Sequence, residues 1–165
     1  MRGFVAIVRT LSFGAALGFA LRAECVIAGE TIKFHARHVN VATKFESTEV
    51  PDQSGHVIAM FQAKGIGIRT VGPDEPPYKI DLWGTGDYQK DGTGKEHGYG
   101  RFTFADGSSY YEEWTGSVSN GHDVGTAVYK EGTGRFKGAK GGSRFDCLLL
   151  GDRFICDVDG TIELP

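Results

Sequence analysis

Glycine recurs along the whole chain and separates short stretches rich in Val, Ile, Phe, Tyr and Thr. The 165 residues include 25 glycines, and these lack the three-residue period of collagen. After residue 30, no long stretch has apolar residues at helical spacing. The pattern predicts many short strands joined by tight turns, in a chain of single-domain length.

The first 28 residues differ in kind from the rest. A basic start is followed by an apolar run at residues 11–21 that is rich in small side chains. The run is shorter than the ~20 residues that span a bilayer, and it is typical of a secretory signal peptide. We expect cleavage after Ala23 or Ala28, and an exported domain over residues 29–165, periplasmic or secreted. A membrane anchor that stays attached is the alternative.

Charge and motifs exclude several classes of partner. Removing residues 1–28 takes away three arginines and one glutamate and leaves a net charge of −5. No Lys/Arg cluster remains, so neither nucleic acid nor an anionic membrane surface is expected as a partner. The glycines at 132–138 lack dinucleotide-binding spacing, so no cofactor is expected. His35 and His38 fall on opposite faces of a strand, and no metal site is predicted.

The two cysteines beyond the first 28 residues flank a predicted hairpin. Gly151 and Asp152 supply a two-residue turn, which places Cys147 directly opposite Cys156. Such cross-strand neighbours lie near enough for a disulfide, and an oxidising compartment allows it to form. We predict the Cys147–Cys156 disulfide, with two free buried thiols as the alternative.

A second hairpin is predicted around a two-residue turn at Asp106 and Gly107. This turn implies three favourable cross-strand pairs: Phe102 with Tyr111, Tyr99 with Trp114, and Arg101 with Glu112. Tyr99, Arg101, Glu112 and Trp114 would then share one face, which either lines a pocket or forms a surface ladder.

The turns and alternation predict eight strands in all. They are expected at residues 31–41, 56–69, 78–88, 99–105, 108–114, 125–130, 143–150 and 153–164. Eight antiparallel strands close into a barrel that side chains or one small ligand can fill, and closure removes exposed edges. A flattened sandwich is the alternative.

The first strand leaves the direction of its polar face open. If Ile32 and Phe34 pack outside the barrel, His35 and Arg37 project inward and suit a ligand with one polar end. With the opposite parity, His35 and Arg37 face solvent.

The C-terminal third contains a strand that ends in the glycine-rich turn Gly132-Thr-Gly-Arg-Phe-Lys-Gly138, within residues 125–141, and a closing hairpin that ends in Gly160-Thr-Ile162. This combination resembles the allene oxide cyclase-like barrel superfamily, which includes plant allene oxide cyclases, dirigent proteins and uncharacterised bacterial secreted proteins. The resemblance implies a small eight-stranded antiparallel barrel, with Phe136 plugging one end. No active site is implied, because the cyclase pocket residues cannot be aligned to residues 31–69.

Residues 98–114 also resemble one MORN repeat. A stacked solenoid needs about three repeats, and only a partial second copy follows, at residues 125–138.

Our leading hypothesis is an exported, noncatalytic barrel that binds a small apolar or amphipathic molecule. This hypothesis predicts a cavity inside the barrel. A cyclase or isomerase acting within the barrel is an alternative, which predicts buried polar residues with shifted pKa values. An oligomeric structural barrel with a filled interior is another, which predicts an exposed aromatic patch. The candidate ligand-binding residues are His35, Arg37, Tyr99, Arg101, Glu112 and Trp114. No catalytic residue is identified.

Overall fold

The computed structural model describes residues 29–165, which form a closed barrel of eight antiparallel strands. Each strand pairs with its sequence neighbours, and the last strand pairs with the first to close the ring. The strands are β1 (Thr31–Glu49), β2 (Val57–Val71), β3 (Tyr78–Tyr88), β4 (Gly94–Thr103), β5 (Ser109–Ser119), β6 (His122–Thr133), β7 (Lys140–Leu150) and β8 (Arg153–Glu163). A short 3-10 helix, Gly134–Phe136, lies between β6 and β7.

The predicted barrel is therefore confirmed, and residues 29–165 form neither a flattened sandwich nor a MORN-type solenoid. The signal peptide predicted for residues 1–28 lies outside the described residues. In the part of the chain that is described, no helix is both long enough and apolar enough to cross a membrane.

Several strands begin or end away from their predicted bounds, and β1 and β4 are the clearest cases. β1 continues to Glu49, where the sequence predicts a loop, and this extension pairs with the start of β2. Residues 43–49 are exposed on both faces, so no alternation of apolar and polar residues marks them as a strand. β4 begins at Gly94 rather than residue 99, inside a polar segment that also lacks a periodic signal.

Glycines give the barrel wall room for large inward side chains. A Cβ at Gly67 would collide with the Tyr78 ring, and one at Gly84 would lie 2.5 Å from the Phe61 ring. The same relation holds between Gly98 and Trp114, whose ring would lie 2.6 Å from an added Cβ. Much of the high glycine content therefore allows aromatic side chains of one strand to lie flat against the neighbouring strand.

One end of the barrel is closed by packed aromatic rings. Phe136 is fully buried and lies 4.6 Å from Phe104 and 5.3 Å from Tyr110, measured between ring centroids. The Arg135 guanidinium covers the Phe136 ring at 4.6 Å and donates to Glu75 Oε2 at 2.7 Å, on the β2–β3 loop. Phe136 thus plugs the barrel end, as the resemblance implied.

The β4–β5 hairpin corrects the predicted cross-strand pairs. The Phe104 N–H donates to Ser108 O, and Gly107 has φ +81°, so the loop has three residues instead of the predicted two. The extra residue shifts the register by one. The observed partners are Phe102 with Tyr110, Tyr99 with Glu113, and Arg101 with Tyr111.

This register places the Phe102 and Tyr110 rings together inside the barrel, stacked with centroids 4.8 Å apart. The predicted pairs of Phe102 with Tyr111, Tyr99 with Trp114 and Arg101 with Glu112 are wrong, because the turn signal at Asp106 and Gly107 does not fix the loop length.

The β7–β8 hairpin has the predicted register, with Cys147 opposite Cys156. The two cysteines form the predicted disulfide, and both lie buried on the inward face.

Candidate functional site in the barrel lumen

The barrel encloses a cavity of about 410 Å³. Its mouth lies at the end of the barrel opposite Phe136, where Gly92 and Gly151 in the turns contribute to the rim. The wall is mainly aromatic and aliphatic, with Phe61, Leu82, Phe102, Trp114, Phe145, Leu149, Phe154 and Val158 among its lining residues. The interior is therefore an open apolar cup and is not filled by side chains.

The structure brings only two of the six candidate ligand-binding residues into this cup. Glu112 and Trp114 occupy alternate positions on β5, and both side chains are buried and line the cavity. Trp114 also contacts two other wall rings, with centroid distances of 6.0 Å to Phe61 and 6.4 Å to Phe145.

The other four candidates lie on the outer surface. Phe34 is buried, so β1 has the parity that turns His35 and Arg37 toward solvent, where they contact Asp159 and Asp157 of β8. These four side chains do not line the cavity.

On the outer surface of β4, Arg101 donates to Asp81 Oδ2 at 2.7 Å. Tyr99 is 53% exposed on the same surface, opposite Trp83 of β3. Tyr99 and Arg101 therefore do not share a face with Glu112 and Trp114 as expected. The shift of one residue in the hairpin register is the reason.

Glu112 is the most unusual polar group of the lumen. Its side chain is only 8% exposed, and burial raises the pKa of its carboxyl to about 8. Burial is the sole cause of that shift, and no group within residues 29–165 donates a hydrogen bond to the carboxyl. The inner part of the cup therefore carries an acid that is largely protonated at neutral pH and has no protein partner.

Two further polar residues of the lumen come from β1. His38 is buried, and its Nε2 lies 2.9 Å from the Tyr78 hydroxyl. Burial lowers the pKa of His38 to about 4, so the ring is neutral near pH 7. Asn40 lies one inward position nearer the mouth and is also buried.

A second acidic group lies closer to the mouth. The Tyr88 hydroxyl donates to Glu96 Oε1 at 2.5 Å, and Asp123 of β6 contributes to the same part of the wall. Burial raises the pKa of Glu96 to about 7, and the hydrogen bond from Tyr88 opposes that shift. Burial also raises the pKa of Asp123 to about 6. Protons can thus be exchanged here close to neutral pH.

Four lumen residues were not predicted from the sequence, although a signal for some of them exists: His38, Asn40, Glu96 and Asp123. Along β1, His38 and Asn40 continue the same alternation as the apolar Phe34 and Ala36. A polar residue at an apolar position of this kind marks the inner face of a barrel. Glu96 carried no such signal, because its segment was predicted as a loop.

Comparison with solved structures places this barrel among known folds. The pterocarpan synthase dirigent protein GePTS1 matches over 96% of this chain and 99% of its own, with a TM-score of 0.51 and 13% identity. The chain has the dirigent-like barrel fold. At this identity the similarity concerns the fold alone, and it agrees with the resemblance noted at residues 125–141.

Two further solved structures are similar to this dirigent-like barrel. A second pterocarpan synthase dirigent protein, PsPTS1, is 11% identical over 82% of this chain and 96% of that one, with a TM-score of 0.48. A protein of unknown function from Clostridium acetobutylicum is 10% identical over 83% and 97%, with a TM-score of 0.49. No protein-family model and no curated protein matches the chain.

Proposed function

We propose that this protein is an exported barrel whose lumen binds a small apolar or amphipathic molecule. The supporting observation is the cavity of about 410 Å³, closed by aromatic packing at one end and open at the other. Ligand pockets of small molecules span roughly 300–1,000 Å³ and are mostly apolar with a few polar groups, as this one is. The Cys147–Cys156 disulfide is compatible with an oxidising compartment.

Uptake of a neutral fluorescent probe tests the proposal. We expect N-phenylnaphthylamine to bind saturably, with a rise in its fluorescence. Leu149 lines the lumen, whereas its neighbour Leu148 is 42% exposed on the outer surface. Leu149→Trp should therefore weaken uptake at least about tenfold, a loss of about 1.4 kcal/mol, and Leu148→Trp is the matched control.

Both variants should first be shown to retain the far-UV spectrum and the unfolding transition of the wild type. Nonsaturable uptake by the wild type, or equal uptake by the two variants, would refute lumenal binding.

Catalysis of a proton transfer is a second candidate, and the Glu112 carboxyl is the observation in its favour. Buried polar groups with shifted pKa values are what a cyclase or isomerase acting in the lumen requires. Above its pKa of about 8, this carboxylate would be a desolvated base in contact with a bound apolar substrate.

Nitrobenzisoxazole is a suitable small apolar substrate for testing this base. The carboxylate takes the ring C–H proton, the N–O bond breaks, and a coloured cyanophenolate is released. We expect saturable turnover that rises with pH through about 8, is lost in Glu112→Gln and persists in Glu113→Gln. Glu113 is the neighbouring residue and lies on the outer surface, paired with Lys130. Equal rates in the two variants would exclude Glu112 as the base.

A further inference from the structure

We propose that the molecule held in the lumen carries a positively charged nitrogen, an ammonium group on an aromatic or aliphatic body. This inference rests on the proposed binding function and specifies the class of ligand. It follows from the sign of the charges inside the barrel, from one carboxyl that lacks a partner, and from the rings around that carboxyl.

The ionisable residues of the cavity wall are almost all acidic. Glu96, Glu112 and Asp123 line the cavity, His38 is neutral near pH 7, and no Lys or Arg is among the lining residues. Among the nearby cations, Arg37 and Arg101 face outward and are paired with Asp157 and Asp81. The buried Arg69 is not among the lining residues and is paired with Glu75 at the closed end. The interior of the barrel therefore attracts cations and repels anions.

Glu112 provides the specific contact. It is nine-tenths buried, lines the cavity and accepts no hydrogen bond within the described residues. A buried carboxyl without a partner costs stability, and the cost falls when a ligand supplies the missing donor. An ammonium group supplies both the donor and the opposite charge, and its binding would release the carboxyl proton to solvent.

The groups that face Glu112 do not supply a competing charge. Tyr78, Tyr110 and Tyr129 surround it from β3, β5 and β6, and burial raises the pKa of each hydroxyl, so all three stay neutral. Arg69 of β2 is engaged by Glu75 and lies over the Phe34 ring at the closed end.

Aromatic rings complete the environment. Trp114 lies two residues from Glu112 on the same face of β5, and Phe61 and Phe145 pack near it. The faces of such rings attract cations, and the attraction grows when water is excluded. An anionic ligand such as a fatty acid would instead place its carboxylate near Glu96 and Asp123, which are mostly ionised at pH 7.5 and oppose its binding.

Three probes with one hydrophobic body test the inference: naphthylmethylamine, naphthylmethanol and naphthylacetate, which are cationic, neutral and anionic at pH 7.5. Each displaces N-phenylnaphthylamine from the lumen, which gives its affinity. We expect the amine to bind about tenfold or more tighter than the alcohol, a difference of about 1.4 kcal/mol, and the acid to bind weakest. Glu112→Gln should abolish the preference for the amine and preserve the affinity for the alcohol.

Glu113→Gln is the matched control, because it removes one carboxylate from the outer surface instead of the lumen. If the alcohol or the acid binds as tightly as the amine in the wild type, the lumen binds ligands but the inference of a cation is overturned. An amine preference that survives Glu112→Gln also overturns it, because Glu112 is then not the contact. If no probe binds, the proposed function itself fails.

Discussion

Glu112 illustrates how a single residue couples the lumen to the stability of the barrel. Its carboxyl is protonated in the folded protein up to a pKa of about 8, whereas an ordinary glutamate loses its proton near 4.5. Between these values the folded state holds a proton that the unfolded state has released. Stability is therefore greatest below about pH 4.5 for this group and declines as the pH rises through 8.

Glu112→Gln removes this decline, because glutamine stays neutral at every pH. We expect the free energy of unfolding of the wild type, relative to the variant, to fall between pH 5 and 8.5. Each pKa unit contributes about 1.4 kcal/mol, which sets an upper limit of roughly 5 kcal/mol on the change. Urea unfolding of the wild type, Glu112→Gln and Glu113→Gln across this range measures it. Glu96 and Asp123 change stability in the same direction and are present in all three proteins. Parallel curves for the wild type and Glu112→Gln would contradict the assigned burial.

Residue identity alone predicts part of this site. Glu112 and Trp114 were singled out from the sequence and do line the lumen, but they were grouped with Tyr99 and Arg101, which face outward. Alternation along a strand separates two faces without saying which is internal. Which face points into the barrel becomes clear only from buried residues of the same strands, such as Phe102 and Tyr110.

At the scale of elements, the β4–β5 hairpin depends on the conformation of one loop. Gly107 has φ +81°, in the left-handed region, and no atom lies within 4 Å of an added Cβ. Asp106 stabilises the loop by accepting the Ser108 N–H at 2.9 Å. The cost of replacing Gly107 is therefore set by backbone conformation and not by a clash.

Gly107→Ala should lower the free energy of unfolding by about 1–2 kcal/mol, because a Cβ disfavours the left-handed conformation. Gly107→Asn should lose less, since asparagine tolerates this region better. Equilibrium urea unfolding of the three proteins at one pH gives the comparison. If alanine and asparagine cost the same, the loop has relaxed to another conformation and the three-residue turn is not the determinant of register.

For the whole molecule, the sequence predicts the number and order of strands well and the cavity poorly. Turn residues and alternation give the eight strands, and pairing between neighbours follows from the short connections. The volume and charge of the lumen depend on which side chains point inward, and the registers of all eight strand pairs together decide this. An error of one residue at Gly107 was enough to exchange the faces of Tyr99 and Arg101 relative to Glu112.

The pairing of β1 with β8 brings the two ends of the described chain together. The Leu164 N–H donates to Glu30 O at 2.8 Å, next to Thr31 and Glu163, the last pair of residues between these strands. Each of the eight strands therefore pairs with two neighbours, and β1 and β8 are the one neighbouring pair that no loop connects. The numbering of the strands follows the order of synthesis, whereas the closed pairing of the barrel distinguishes no strand as the first.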